Sequence, residues 1–194
     1  MFLGLGVLTT YGAAYHVFTH AFFKAVLFLS CGAIMHGFAG QLDLRKISGL
    51  RRMKGWRIVA WTMFIGCICL AGFPFTSGYF SKDAILAEAF ITQGPGFEAL
   101  GWIAIFTAFL TAYYTGRMVF LVVAPAQIEE TSHDHHGDPQ PWVMLAPIVL
   151  LALGALTLGF FASSIAATLG VQLVHHSLVS MLPAIGVVAL GGAL

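Results

Sequence analysis

Ala71-Gly72-Phe73-Pro74-Phe75-Thr76-Ser77-Gly78 interrupts an apolar stretch that begins at Ile58 and continues to about Thr92. That stretch holds about 35 residues, which as one straight helix would be about 50 Å long. A bilayer hydrocarbon core of about 30 Å needs far less. Glycine, proline, threonine and serine cluster at its middle, and proline inside a helix removes a hydrogen bond and clashes with the preceding turn. The pattern predicts two half-helices, 57–72 and 79–92, joined inside the membrane by a short irregular link. Irregular backbone is tolerated at membrane depth only within protein or beside water. Discontinuous helices of this kind line ion and substrate paths in transporters.

Composition carries the same reading to the whole chain. Of 194 residues, 59% are hydrophobic and 9% charged, with a mean hydropathy of +0.89. Soluble domains are about 45–50% apolar and about 25% charged, and 9 basic plus 8 acidic side chains are too few to cover so apolar a chain. High hydrophobicity with a net charge of +1 excludes disorder and gives no case for a nucleic-acid partner. Lipid forces backbone groups to be satisfied within the segment, so the apolar runs should be helices. The expected fold is therefore all-α: a polytopic transmembrane helix bundle, surrounded by lipid bilayer, with one discontinuous helix. Cys31, Cys67 and Cys69 have no disulfide-framework spacing. Cys67 and Cys69 point to nearly opposite faces of a helix and read as small buried apolar residues.

Charged residues mark the remaining borders. Met1–Gly12 reads as the end of a truncated transmembrane helix, and 13–38 as the next helix. Gly94-Pro95-Gly96 is a turn, 98–124 a further span, 125–141 a polar loop with three prolines, and about 142–164 another span before a loop to about 180. Residues 181–194 read as a span cut short, and Met1-Phe2-Leu3 lacks the features of a signal peptide. Arg45, Lys46, Arg51, Arg52, Lys54 and Arg57 share one loop, which the positive-inside rule places in the cytoplasm. Counting spans puts 125–141 on the same side. Trp56, Trp102 and Trp142 fall near the expected interfaces, as an aromatic belt would.

His16, His20 and Lys24 recur every four residues through an apolar span. On a helix they share one face, about 6 Å apart along the axis. A charge at the bilayer centre costs about 2.5–3.5 kcal/mol on insertion scales, so an intramembrane lysine is a functional candidate facing protein or water. Neutral histidine both donates and accepts, as a proton relay requires. The competing reading is polar residues that hold helices together; the aligned triplet with a lysine favours ion transfer. Lys82-Asp83 follows the break and has two readings. Lys82 is a proton acceptor deep in the membrane, tuned by Asp83, or the pair marks a helix border, with Ser81 or Asp83 as the helix start and Lys82 snorkelling. Glu88 and His175-His176 read as border residues, and Arg117 as a snorkelling one. His133, His135 and His136 belong to a solvated acidic loop rather than a metal site. No phosphate-binding, nucleophile or metal motif is present in the sequence. No bond-making catalytic residue, metal or cofactor is expected in this chain.

The run His16-Val17-Phe18-Thr19-His20-Ala21-Phe22-Phe23-Lys24-Ala25, followed by Leu27-Phe28-Leu29, resembles a signature of the antiporter-like membrane subunits of respiratory complex I. Leu44-Arg45-Lys46-Ile47-Ser48-Gly49-Leu50 resembles their following loop. Gly72-Phe73-Pro74 with Gly78-Tyr79-Phe80-Ser81-Lys82-Asp83-Ala84-Ile85-Leu86 resembles their broken helix. Ala112-Tyr113-Tyr114-Thr115-Gly116-Arg117 and the histidine-rich loop fit the largest of these subunits. The A-type subunit of multisubunit Na⁺/H⁺ antiporters shares the first and third motifs and is the alternative.

The resemblance implies a partial antiporter-like fold. Residues 13–97 would be the core of the second of two inverted repeats, 98–180 two further transmembrane helices, and 181–194 a truncated one. It implies proton translocation coupled to NADH oxidation and quinone reduction. The central relay would be His16, His20 and Lys24, and Lys82 would be the terminal group beside Asp83. The partners it implies are other membrane subunits of complex I, with NADH, flavin, iron–sulfur clusters and quinone bound by other subunits, in a bacterial inner membrane. The family often carries a further acid where this chain has Ala84, with Glu88 the candidate to stand in for it.

Overall fold

A computed structural model describes residues 2–7, 9–43, 47, 49–92, 94–123 and 141–168. Among these residues helix is the only regular structure. The helices are α1 (Phe2–Gly6), α2 (Thr10–Gly37), α3 (Arg57–Ala71), α4 (Ser77–Ile91), α5 (Phe97–Val122), α6 (Trp142–Thr157) and α7 (Ala162–Thr168). Short 3₁₀ stretches occupy Leu50–Arg52 and Leu158–Phe161. The second of these joins α6 to α7. Helices α2 and α5, and the continuous rod Trp142–Thr168, are long and apolar enough to cross a membrane. All of the expected loop 125–141 except Pro141, together with His175-His176 and the segment 181–194, lies outside the described residues, as do Arg45 and Lys46 of the basic loop.

Helix α2 begins three residues before the hydropathy border at 13. The cause is local: the Thr9 hydroxyl oxygen accepts from the Gly12 backbone N–H at 3.1 Å, satisfying a donor that a helix start leaves open. Residues 10–12 therefore belong to this helix and not to the segment before it. The helix stops at Gly37, where Ala39 (φ 49°) and Gly40 (φ 82°) turn left-handed.

The break lies where Gly-Phe-Pro predicted it. Gly72 sits at φ 83°. Its N–H donates to the Ile68 and Cys69 carbonyls, and the Phe73 N–H donates to Ile68 at 3.0 Å. This left-handed cap closes α3 by satisfying carbonyls that have no partner further along the helix. Thr76 then opens α4, accepting from the Tyr79 N–H at 3.4 Å while its hydroxyl donates to the Phe73 carbonyl at 2.7 Å. Helix α4 starts at Ser77 because of that cap, two residues before the expected position. Each half-helix has 15 residues, about 22 Å, so neither alone crosses a core of about 30 Å. They overlap rather than meet end to end: a methyl group at Gly78 would run into the Cys69 carbonyl oxygen.

The buried clusters show how the rods alternate. At the end near the basic loop, Val26, Leu27, Ala33 and Ile34 of α2 meet Val59, Ala60 and Met63 of α3, Val122 at the end of α5 with Val123 after it, and Leu145 and Ile148 of α6. At the other end Tyr11 and Tyr15 of α2 meet Ala166 of α7, and Val7 meets Ile85 and Ala89 of α4. Late residues of one helix thus pack on early residues of the next, as an up-and-down bundle requires. Helix α5 lies outermost, with Trp102, Ile103, Phe106 and Phe120 exposed. Cys67 and Cys69 are buried in different clusters.

One interface assignment changes. Trp102 and Trp142 are exposed, but Trp56 is fully buried. Its ring lies 4.9 Å from that of Phe38. Trp56 is a core residue under the basic loop and not part of an aromatic belt.

Candidate proton-transfer site

The row on α2 follows from four-residue spacing. The His16 and His20 ring centroids are 5.8 Å apart and tilted by 54°. His20 meets Phe23 edge-on at 5.2 Å. Lys24 lies one turn further on, half-buried, with its Nζ 5.1 Å from the centroid of the Phe28 ring. An ammonium over a ring face is attracted by the ring quadrupole, by about 0.5–2 kcal/mol depending on desolvation. This offsets part of the cost of a cation in an apolar span.

On the facing half-helix, Lys82 reaches back over the overlap. Its Nζ donates to the Leu70 carbonyl at 2.5 Å and to the Ala71 carbonyl at 3.4 Å. These carbonyls belong to the last turn of α3, where a helix has unpaired acceptors and the negative end of its dipole. The break thus creates the site that holds the lysine. A cavity of about 20 Å³ adjoins it, lined by Gly72, Tyr79, Lys82, Asp83 and Leu86 with Ala108 of α5. Such a space is sufficient for about one water molecule.

The row and the break are joined by a residue read from sequence only as a possible helix start. Ser81 lies inside α4, fully buried. Its Oγ is 2.9 Å from His16 Nδ1, and its hydroxyl is 3.3 Å from the Gly78 carbonyl. Of the five expected residues, His16 and His20 are in ring contact, Lys82 and Asp83 share the cavity, and His16 reaches α4 through Ser81. Lys24 stands apart on Phe28. The serine preceding Lys82 was the available signal, since most buried hydroxyls find a partner. Thr19, also fully buried, donates to the His16 carbonyl at 3.3 Å. Among the described residues no group of histidine, cysteine and carboxylate side chains is arranged to hold a metal ion.

Residues 1–111, which include every residue of this site, match the transmembrane family described as NADH:quinone oxidoreductase/Mrp antiporter. The chain belongs to this family. It is 41% identical over 177 residues to NADH-quinone oxidoreductase subunit L of Campylobacter jejuni, covering 90% of this chain and 28% of that protein. It is 38% identical over 155 residues to NADH-ubiquinone oxidoreductase chain 5 of Metridium senile, covering 78% and 24%. With chain 5 of Phytophthora infestans it shares 33% over 183 residues, covering 92% and 26%. The chain spans about a quarter of the length of these curated relatives. It is a multi-pass membrane protein of the antiporter-like class, as its helices and its relatives agree.

Proposed function

We propose that this chain forms the second-repeat part of a proton-translocating, chain L-type subunit of NADH:quinone oxidoreductase, in a bacterial inner membrane. In this reading His16, His20 and Lys24 pass protons along α2, Lys82 is the terminal carrier at the break, and Asp83 adjoins it across the cavity. NADH oxidation and quinone reduction belong to partner subunits. The observation that carries the reading is Lys82 itself, a lysine held on the open carbonyls of a broken helix beside a water-sized cavity. A lysine that only snorkels would extend to a membrane border, whereas this one turns inward to the break. The names of the relatives support complex I over the A-type antiporter subunit, and the bacterial relative supports the choice of membrane.

The test is NADH-driven proton pumping in membrane vesicles that contain the full complex, with Lys24→Met and Lys82→Met compared with wild type at matched assembly. Each substitution is expected to lower pumping at least about tenfold, the scale of a lost proton carrier, in an intact complex that pumps equally without Na⁺. Normal pumping by both variants would sink the proton reading, and a requirement for Na⁺ would favour the antiporter alternative.

A further inference from the structure

Ser81 is in contact with both elements of the site, and its chemistry is constrained. A serine hydroxyl has one proton to donate and two lone pairs. The Gly78 carbonyl at 3.3 Å can only accept. When the Ser81 proton goes to that carbonyl, the bond at 2.9 Å must be donated by His16 Nδ1–H. Both partners of the hydroxyl are then satisfied. In the reverse arrangement the hydroxyl donates to a bare Nδ1 and its bond to Gly78 is lost. With the residue fully buried, the arrangement with both bonds made is the more stable, because it makes one hydrogen bond more. The hydrogen bond made by one ring nitrogen fixes which nitrogen carries the proton.

We infer that Ser81 is a positioning residue that holds neutral His16 as the Nδ1–H tautomer, so that Nε2 is the nitrogen that takes up and releases the transferred proton. The inference rests on the reading of His16 as a proton carrier. The transfer balances simply. A proton given up by one neighbouring carrier arrives at Nε2 and gives the imidazolium, whose Nδ1–H still donates to Ser81. The same proton leaves from Nε2 to the next carrier and restores the starting tautomer. The Ser81 proton stays on Oγ throughout, and no bond to Gly78 need break. His20 on the same helix, and Lys82 and Asp83 next to Ser81 on α4, are the titratable neighbours of this step. Proton exchange at Nε2 leaves the bridge from α2 to α4 unchanged, so the relay turns over without disturbing the packing at the break.

The test uses the full complex in vesicles and three variants. Ser81→Ala removes the hydroxyl, Ser81→Cys keeps the volume but leaves a weak hydrogen-bonding group, and His16→Asn keeps an N–H donor on the side toward Ser81 but has no second ring nitrogen. Ser81→Ala is expected to lower pumping about fivefold to tenfold at normal assembly, the effect of one lost hydrogen bond on the tautomer ratio, with Ser81→Cys intermediate. Nitrogen-15 resonances of His16, isolated as the difference between wild type and His16→Asn complexes labelled at histidine, are expected to show a protonated Nδ1 and a bare Nε2. Full pumping by an assembled Ser81→Ala complex overturns the inference, as does a neutral His16 protonated at Nε2. Should Ser81→Ala fail to assemble, full pumping by Ser81→Cys overturns it equally. If His16→Asn abolishes pumping and Ser81→Ala pumps at the wild-type level, the inference fails and the relay stands; if His16→Asn pumps normally, the relay reading itself fails at His16.

Discussion

Two interruptions lie against each other in this bundle, and different chemistry holds each one. Between α3 and α4 the helix opens completely, and a lysine takes the freed carbonyls of Leu70 and Ala71. Between α6 and α7 the rod only tightens into a 3₁₀ stretch, and two tyrosines of α2 donate to carbonyls there. The Tyr15 hydroxyl donates to Leu158 at 3.1 Å and the Tyr11 hydroxyl to Ala162 at 2.9 Å. The tyrosine rings stack 5.5 Å apart. Phe80 of α4 packs on Phe160 of the tightened stretch, centroids 6.4 Å apart. A charged, titratable donor holds one interruption and neutral phenols hold the other. The tightened stretch coincides with contacts from α2 and α4, while the break carrying the lysine is written into its own residues and caps.

Four substitutions sharpen or break that contrast. The largest effect is expected at Gly78, where a methyl group would strike the Cys69 carbonyl. Gly78→Ala should destabilise the overlap by about 3 kcal/mol, the upper range for overpacking, and reduce the amount of assembled complex. Normal yield and thermal stability would mean that the half-helices do not overlap as described. Next come the two tyrosines. Tyr11→Phe and Tyr15→Phe each remove one hydrogen bond, which should cost about 1 kcal/mol apiece in the melting of the purified complex. Pumping per assembled complex should stay at wild-type level, because the second interruption is structural. Lost pumping in an intact Tyr15→Phe complex would erase the distinction between the two interruptions. The smallest effect is expected at Phe75, the exposed link residue at φ 68°. Left-handed backbone costs a non-glycine residue about 1–2 kcal/mol, partly offset in Phe75→Gly by the extra freedom of the unfolded chain. A rise in stability of about 0.5 kcal/mol is expected, and a fall would show that the Phe75 ring is engaged by a partner or lipid.

The two interruptions also differ in how far they can be read from sequence. Gly72, Pro74 and Thr76 act on their own backbone, so the first was visible in local residue chemistry. Leu158-Gly159-Phe160-Phe161 contains no proline and no polar cluster. Its partners Tyr11 and Tyr15 stand 143 or more residues away, beyond any local pattern. The same division runs through the site. Four-residue spacing aligned His16, His20 and Lys24 because they share one helix. The Ser81 link joins two helices and depends on their register. Trp56 was misjudged for a related reason: its place in sequence is a membrane border, but the basic loop folds Ile47 and Leu50 into the same buried cluster.

The overlap of the half-helices also has an electrical meaning. Lys82 is anchored at Leu70, 13 residues along α3 from Arg57 at the charged border. That distance is about 20 Å, roughly two-thirds of a hydrocarbon core of about 30 Å. Carrying one elementary charge across the whole membrane potential involves about 2.3 kcal/mol for each 100 mV. On the proposed function, and with α3 standing along the membrane normal, a proton entering from the Arg57 side and resting on this lysine would have crossed most of the voltage drop. By folding back over the end of α3, the break sets the depth in the field at which the cation stands.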